Sequence, residues 1–309
     1  MILTVTLSPC IDKTATCNGF NPQEVNRIRP VAKEYGGKGI NVARAVKLLG
    51  GEAYPMGIGY NHNKSIEAFL KSQNIDSWFI PVLGQLRTNL KIFDEATGKT
   101  VEINEEAGLV TDDTVAVMMS VFGDKVRGAE IAVLAGSLPT GCPKDIYKRL
   151  IYMARKYSPE TRVVVDAVGE PLLLALDERP YMIKPNTEEF AKTFSIPAED
   201  TEGIIARAKE LIAEGKTDVV LLSDGERGAY IVTAEEAHFL PALKVAAKSA
   251  QGAGDAMVAG ACVALTEGLS LRDVLRYGIA AATAAVTKQG TGFGSREEVE
   301  KYLEKISEN

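Results

Sequence analysis

The 309 residues carry 46% apolar and 25% charged side chains, enough for an ordinary packed core in a chain whose length suits an α/β enzyme with a small appended element. The formal charge of −6 argues against nucleic acid or an anionic membrane as the main partner, and it makes any local cluster of Lys and Arg informative.

In chain order, residues 1–7 have no basic flank and read as a strand, not a signal peptide. Residues 13–30 are polar and β-leaning. A Gly cluster at 36–39 then opens a helix in which Val42, Val46 and Leu49 fall at i, i+4 and i+7, and Gly50-Gly51 closes it. Residues 88–103 are again polar and β-leaning, with a Glu-Ala-Thr-Gly turn at 95–98. Continuous apolar, β-branched runs follow at 130–135, 162–166 and 218–223, without the polar alternation of a one-sided sheet. Between the last two, residues 201–214 repeat a helical face with Ile204, Ala208 and Leu211 before Gly215. Another helix starts at Gly252, and a last one, 296–306, reads as charged and exposed.

Strands alternating with helices predict an α/β fold, a mostly parallel sheet between two helical layers, with ligands outside the carboxyl ends of the strands. Segments 13–30 and 88–103 have too few apolar residues for a core of their own. They read as a small β-sheet lid on a single domain spanning 1–309, and its unpaired face or edge makes a homodimer through the lid the expectation. No run reaches the ~18 apolar residues of a membrane span. Cys10, Cys17, Cys142 and Cys262 lack the spacing of zinc or redox motifs, and His62 and His238 lack ligand-like neighbours. Four reduced, mostly buried thiols and a cytoplasmic location are expected.

Two Gly clusters carry the chemistry. Gly252-Ala253-Gly254-Asp255 opens a helix whose unpaired N–H groups and dipole suit a phosphate. Asp255, in its first turn, reads alone as a helix cap, yet a carboxylate there can also take the proton of a hydroxyl attacking a γ-phosphoryl group. Gly36-Gly37-Lys38-Gly39-Ile40-Asn41-Val42-Ala43-Arg44 likewise opens a helix, and its spacing is not that of a Walker loop.

Together these two motifs resemble the signatures of the ribokinase-like, phosphofructokinase B family of sugar kinases. The resemblance spans nearly the whole chain through Thr6–Asp12, Gly136-Ser137-Leu138-Pro139, Lys184-Pro185-Asn186-Thr187-Glu188-Glu189 and Ser223-Asp224-Gly225-Glu226-Arg227-Gly228. It implies a ribokinase-like three-layer sandwich and an ATP- and Mg²⁺-dependent kinase acting on a phosphorylated ketohexose. By that resemblance Asp255 is the base, and Gly252, Ala253 and Gly254 stabilise the transferring phosphoryl group. Asp12, Gly37, Asn41 and Ser137 contact the sugar, while Arg27, Lys38 and Arg87 bind the phosphate already on it. Lys184, Asn186, Ser223, Gly225 and Gly228 serve ATP, and Glu189 serves the metal with Asp166 helping to position it through water; the Asn186-x-x-Glu189 motif is oxygen-rich and suits a hydrated Mg²⁺.

The chain is most similar to the 1-phosphofructokinase and tagatose-6-phosphate kinase branches. Val25 stands where the 6-phosphofructokinase branch presents Lys, and Lys38 falls in a turn that is all glycine there. A displaced cation should accompany a displaced phosphate, which favours fructose 1-phosphate over tagatose 6-phosphate and fructose 6-phosphate. A non-catalytic sugar-phosphate sensor is disfavoured by the intact Asp255 and its Gly-rich anion site. Three departures stand out. Asp224 adds negative charge inside the nucleotide loop, Gln251 precedes the anion site, and Ile58-Gly59-Tyr60-Asn61 replaces a common Gly-Gly ending beside the sugar pocket.

Overall fold

The computed structural model describes residues 1–307. Its first half contains β1 (Ile2–Thr6), β2 (Cys10–Cys17), β3 (Arg29–Gly36), α1 (Lys38–Leu48), β4 (Ala53–Ile58), α2 (Asn63–Lys71), β5 (Trp78–Ile80), β6 (Arg87–Asp94), β7 (Lys99–Asn104), α3 (Asp112–Lys125), β8 (Ile131–Ala135) and α4 (Ile146–Tyr157). There follow β9 (Arg162–Asp166), α5 (Glu170–Ala175), β10 (Met182–Ile183), α6 (Thr187–Phe194), α7 (Thr201–Ala213), β11 (Val219–Ser223), β12 (Gly228–Val232), β13 (Ala237–Pro241), α8 (Ala253–Thr266), α9 (Leu271–Val286) and α10 (Arg296–Ser307).

The large sheet has nine strands in the order β13-β12-β11-β10-β9-β8-β1-β4-β5. It is parallel from β11 to β5, and β12 and β13 continue it antiparallel. The apolar strand runs now have their reason. In β8, Ile131, Val133 and Ala135 join the core beneath α1, α8 and α9, whereas Ala132 and Leu134 join the core under the opposite helices. Successive side chains point to opposite faces, so a strand covered on both must be apolar at every position.

A second sheet of four strands, in the order β3-β2-β6-β7, stands apart. Its central pair β2–β6 is parallel and its outer pairs are antiparallel. The strands differ from the segments 13–30 and 88–103. The first pair begins at Cys10 and ends at Gly36, with residues 18–28 forming the connecting loop. The strands extend towards the large sheet because β2 and β3 continue directly from β1 and into α1. At the far end the Asp94 carboxylate accepts hydrogen bonds from the Gly19, Phe20 and Ala96 amides and the Thr97 hydroxyl, which hold it down at about 2.

One helix is less exposed than its composition predicts. The α10 side chains Val299 and Ile306 are buried in the core shared with α8 and α9, because a single apolar stripe suffices to dock an otherwise charged helix. The four cysteines are free, with Cys142 half-buried and the others buried. No described helix is long and apolar enough to cross a membrane.

Candidate active site

The carboxyl ends of β1, β8 and β9 meet the N-termini of α1 and α8, and the Gly clusters belong to this junction. A Cβ on Gly39 would lie 2.5 Å from the Val5 carbonyl oxygen, and one on Gly37 would lie 2.7 Å from Thr6 Cγ2 with φ at 122°. Glycine is required at both positions for α1 to start flush against β1. Gly252, with φ at 77°, turns the chain into α8. Asp255 is in the first turn and only 8% exposed. Its Oδ2 accepts a hydrogen bond from Asn41 Nδ2 at 2.8 Å. Burial, followed by repulsion from Asp166, raises its carboxyl to about 6, with Lys38, Asn41 and Lys184 opposing. A carboxylate that is ionised at neutral pH yet more basic than usual is suited to accept a proton. Asn41 Oδ1 is buried without a protein partner.

Beside Asp255 stands a cluster of two lysines and two carboxylates. Lys38 Nζ is 2.9 Å from Asp166 Oδ1 and 4.0 Å from Glu189 Oε1, and Lys184 Nζ is 3.9 Å from Asp166 Oδ1. Burial would raise the Asp166 carboxyl, but Lys184 and Lys38 outweigh it and hold it below the ordinary value. The same carboxylates, against the effect of burial, hold the Lys38 ammonium above its ordinary value, so it is charged. A Cβ built on Gly254 would lie 3.5 Å from Lys184 Nζ, so this buried cation faces the start of α8. Ammonium groups and helix amides thus converge on one anion site.

On the other side lies a cavity of about 650 Å³, lined by Thr6, Ser8, Lys38, Arg87, Ser137 and Asp166 among others. The Arg87 guanidinium donates to Asn89 Oδ1 at 3.2 Å and to the Ser8 carbonyl at 3.4 Å. Asn89 Nδ2 in turn donates to Asp12 Oδ1 at 3.0 Å. Asn89 was not among the residues expected from sequence. Its position two residues after Arg87 on one strand, on the same face, is the signal that would have found it, and the register of β2 against β6 sets it opposite Asp12.

Three expected residues sit differently. Arg27 is exposed in the 18–28 loop, and no hydrogen bond or ion pair among the described residues draws it to Asp12, Lys38 or Arg87. Lys38 lines the cavity with Arg87, but its ion pairs are with Asp166 and Glu189, so it bridges the two expected phosphate sites. Gly228 has a packing reason: with φ at 140°, a Cβ there would lie 2.1 Å from the Leu240 carbonyl oxygen across the β12–β13 pair.

At the start of α6, Asn186 and Glu189 form a reciprocal cap. Asn186 Oδ1 accepts from the Glu189 amide at 2.6 Å, and Glu189 Oε2 accepts from the Asn186 amide at 2.9 Å. The cap fixes Glu189 and leaves Oε1 on the Lys38 side. Ser223 ends β11 next to Asn186 through a parallel bridge, and Gly225 adopts φ of 56° in the turn that follows. The charge of Asp224 is answered locally, because its Oδ1 accepts from Thr187 Oγ1 at 2.8 Å and from Arg227 Nη2 at 2.7 Å.

Residues 5–298 match the model of the pfkB family of carbohydrate kinases. The chain is 31% identical to the 1-phosphofructokinase of Bacillus subtilis, covering 99% of this chain and 98% of the relative. It is 30% identical to the ATP-dependent 6-phosphofructokinase isozyme 2 of Escherichia coli, covering 99% of each. The solved structure of Escherichia coli phosphofructokinase-2 in complex with substrates and products superposes with a TM-score of 0.91 at 30% identity, covering 99% of each chain. The ribokinase of Giardia lamblia, 20% identical, shares the fold with a TM-score of 0.80 and coverage of 99% and 98%. A buried carboxylate at one helix start, lysines converging on an anion site and a cavity reached by Arg87 are thus joined to a match over nearly the whole chain: the protein belongs to the pfkB family of carbohydrate kinases and is a phosphotransferase.

Proposed function

We propose that the chain transfers the γ-phosphoryl group of ATP to a free hydroxyl of a phosphorylated ketohexose, with fructose 1-phosphate as the preferred acceptor. The observation that carries the reading is the cavity lined by Arg87, Ser137, Lys38 and Asp166, with Arg87 hydrogen-bonded to Asn89 and Asn89 to Asp12, and with Asp255 in the first turn of α8. Arg87 supplies a cation for the phosphate already on the sugar, and Asp12 and Ser137 supply partners for its hydroxyls. Asp255 takes the proton of the attacking hydroxyl as the oxygen bonds to the γ-phosphorus and ADP leaves. Asn41 orients the base, and its unpartnered Oδ1 is available to a sugar hydroxyl.

In this reading Lys38 serves the phosphoryl group in transit. Its ammonium lines the same cavity as Arg87 and Asp166, with 34% of the side chain still accessible. Lys184 and the amides of Gly252, Ala253 and Gly254 serve the same charge. Asn186, Ser223 and Gly225 shape the nucleotide end.

The residues fit a hydrated Mg²⁺. Asp166 Oδ2 is buried without a protein partner and Glu189 Oε1 is not taken up by the α6 cap. No group of three or more ligating side chains occurs among the described residues, so Mg²⁺ would be held by one or two carboxylates, in part through water, and by nucleotide phosphates. When bound, it neutralises charge on the phosphate oxygens.

We infer that the four-stranded sheet is the lid over the acceptor site and the contact between two copies of the chain. Val31 (53% exposed), Phe93 (43%) and Ile103 (51%) leave the sheet with apolar surface open, and a solvated apolar sheet seeks cover. Sedimentation is expected to give a dimer, and Phe93→Glu to give monomers; a monomeric parent would refute the contact.

The substrate reading is tested by an ADP-coupled assay of fructose 1-phosphate, tagatose 6-phosphate and fructose 6-phosphate. The largest kcat/KM is expected for fructose 1-phosphate, because Val25 stands where a cation would serve a phosphate at the 6 end, so a 6-phosphate loses one contact. A larger value for either 6-phosphate would overturn that preference and leave the family assignment standing.

A further inference from the structure

We propose that Tyr60 is a latch on both chain crossings between the large sheet and the β6–β7 arm, and that it thereby positions Arg87 for the acceptor's phosphate. The arm is entered through residues 81–86 and left through residues 105–110, and both crossings close on this one side chain. The Tyr60 hydroxyl donates to the Gly108 carbonyl at 2.9 Å. A Cβ on Gly108 would lie 2.7 Å from Tyr60 Cε1, and one on Gly84 would lie 3.1 Å from Tyr60 Cδ1. Both crossings therefore carry glycine where they pass the ring. The backbone joins in, since the Gly59 amide donates to the Ile80 carbonyl at 2.8 Å and the Asn61 amide to the Gly84 carbonyl at 3.4 Å.

The latch is held against local preference. Tyr60 has φ of 49°, a left-handed conformation that is a clear departure for a bulky side chain. It is nevertheless 1% exposed, and burial pushes its hydroxyl up to about 12, so it remains a donor throughout the physiological range. Glycine would adopt this backbone freely, so the ring rather than the turn is what the position provides. Arg87 is the residue after the first crossing, following the buried Leu86. The second crossing continues to Val110, whose amide donates to the Thr140 carbonyl at 2.9 Å in the loop that also carries Ser137. Tyr60 touches neither substrate: it acts through the segments that do.

The inference rests on the reading of Arg87 as the acceptor's phosphate cation, and the experiment separates the two. Arg87→Ala judges that reading alone and is expected to raise the sugar-phosphate KM by at least ten-fold with little change for ATP. Tyr60→Phe keeps the ring and removes the hydroxyl. It is expected to speed amide exchange within 82–86 and 106–110 and to raise the sugar-phosphate KM about five-fold, the worth of one hydrogen bond, while the ATP KM stays within about two-fold. Tyr60→Gly relaxes the backbone and deletes the ring, so the same split is expected to widen. A merely structural role would move exchange in β8 and β9 and the ATP KM in step. Unchanged exchange at the two crossings in Tyr60→Phe overturns the latch. Faster exchange with an unchanged sugar-phosphate KM overturns its link to Arg87.

Discussion

Asp255→Asn is expected to lower kcat by about 10²–10⁴, the usual contribution of a positioned general base, with the ATP KM nearly unchanged. The carboxylate is the one group that lies both in the first turn of α8 and within hydrogen-bond reach of Asn41 on α1. An amide oxygen can still accept from Asn41 Nδ2, so orientation is retained while the capacity to take a proton is lost. The pH profile gives an independent check. Since the carboxyl titrates at about 6, parent activity should fall as pH drops through that value, and the residual activity of the variant should lack this limb. Stability should move the other way. The folded-state pKa is raised, so holding the ionised form is destabilising above about pH 6, by ~3 kcal/mol from the size of the shift. This cost fades as pH falls towards the ordinary carboxylate range. The variant should therefore melt no lower than the parent at pH 7.5. Near-normal turnover would remove Asp255 from the role of base.

The second large effect is expected at Lys38. Truncation to Ala should lower kcat by about 10²–10³, the loss typical of one preorganised donor to transition-state charge, with a smaller change in the sugar-phosphate KM. The same variant leaves Asp166 with Lys184 alone, at 3.9 Å. Because Lys38 is also one of the cations that oppose the rise of the Asp255 carboxyl, the acid limb should move to higher pH. Arg87→Ala should show neither change. A Lys38→Ala enzyme with a raised sugar-phosphate KM, an intact kcat and an unmoved limb would assign Lys38 to the acceptor's own phosphate instead.

These two residues show why part of the site could be read from sequence and part could not. Asp255 is visible locally as a carboxylate at a Gly-rich helix start, which alone reads as a cap, and it is the company of the other motifs that singles it out. Asn186 and Glu189 are legible because a reciprocal cap is set by a spacing of three. Lys38 also lies in a recognisable glycine turn, but the direction of its ammonium is decided by Asp166, 128 residues away. Asn89 carried no motif at all and acquires its meaning only through the register of β2 against β6. Gly228 was legible as a special glycine, and the neighbouring strand gives it a packing reason that the sequence did not show. Arg27 looked like its fellow cations until the loop left it exposed.

By itself, then, the sequence determined what depends on neighbours along the chain. Alternating apolar runs and helical stripes specified a parallel sheet covered on two faces, and glycine clusters marked where helices begin close to other backbone. The tertiary structure alone decided what depends on distant partners. Sheet order brings Asn41 to Asp255 across 214 residues and sets Lys38 between two carboxylates. It also closes both crossings of the small sheet on Tyr60, whose left-handed backbone would have predicted glycine. Periodicity and capping act within a few residues, whereas pairing order and register are fixed only when the whole core packs.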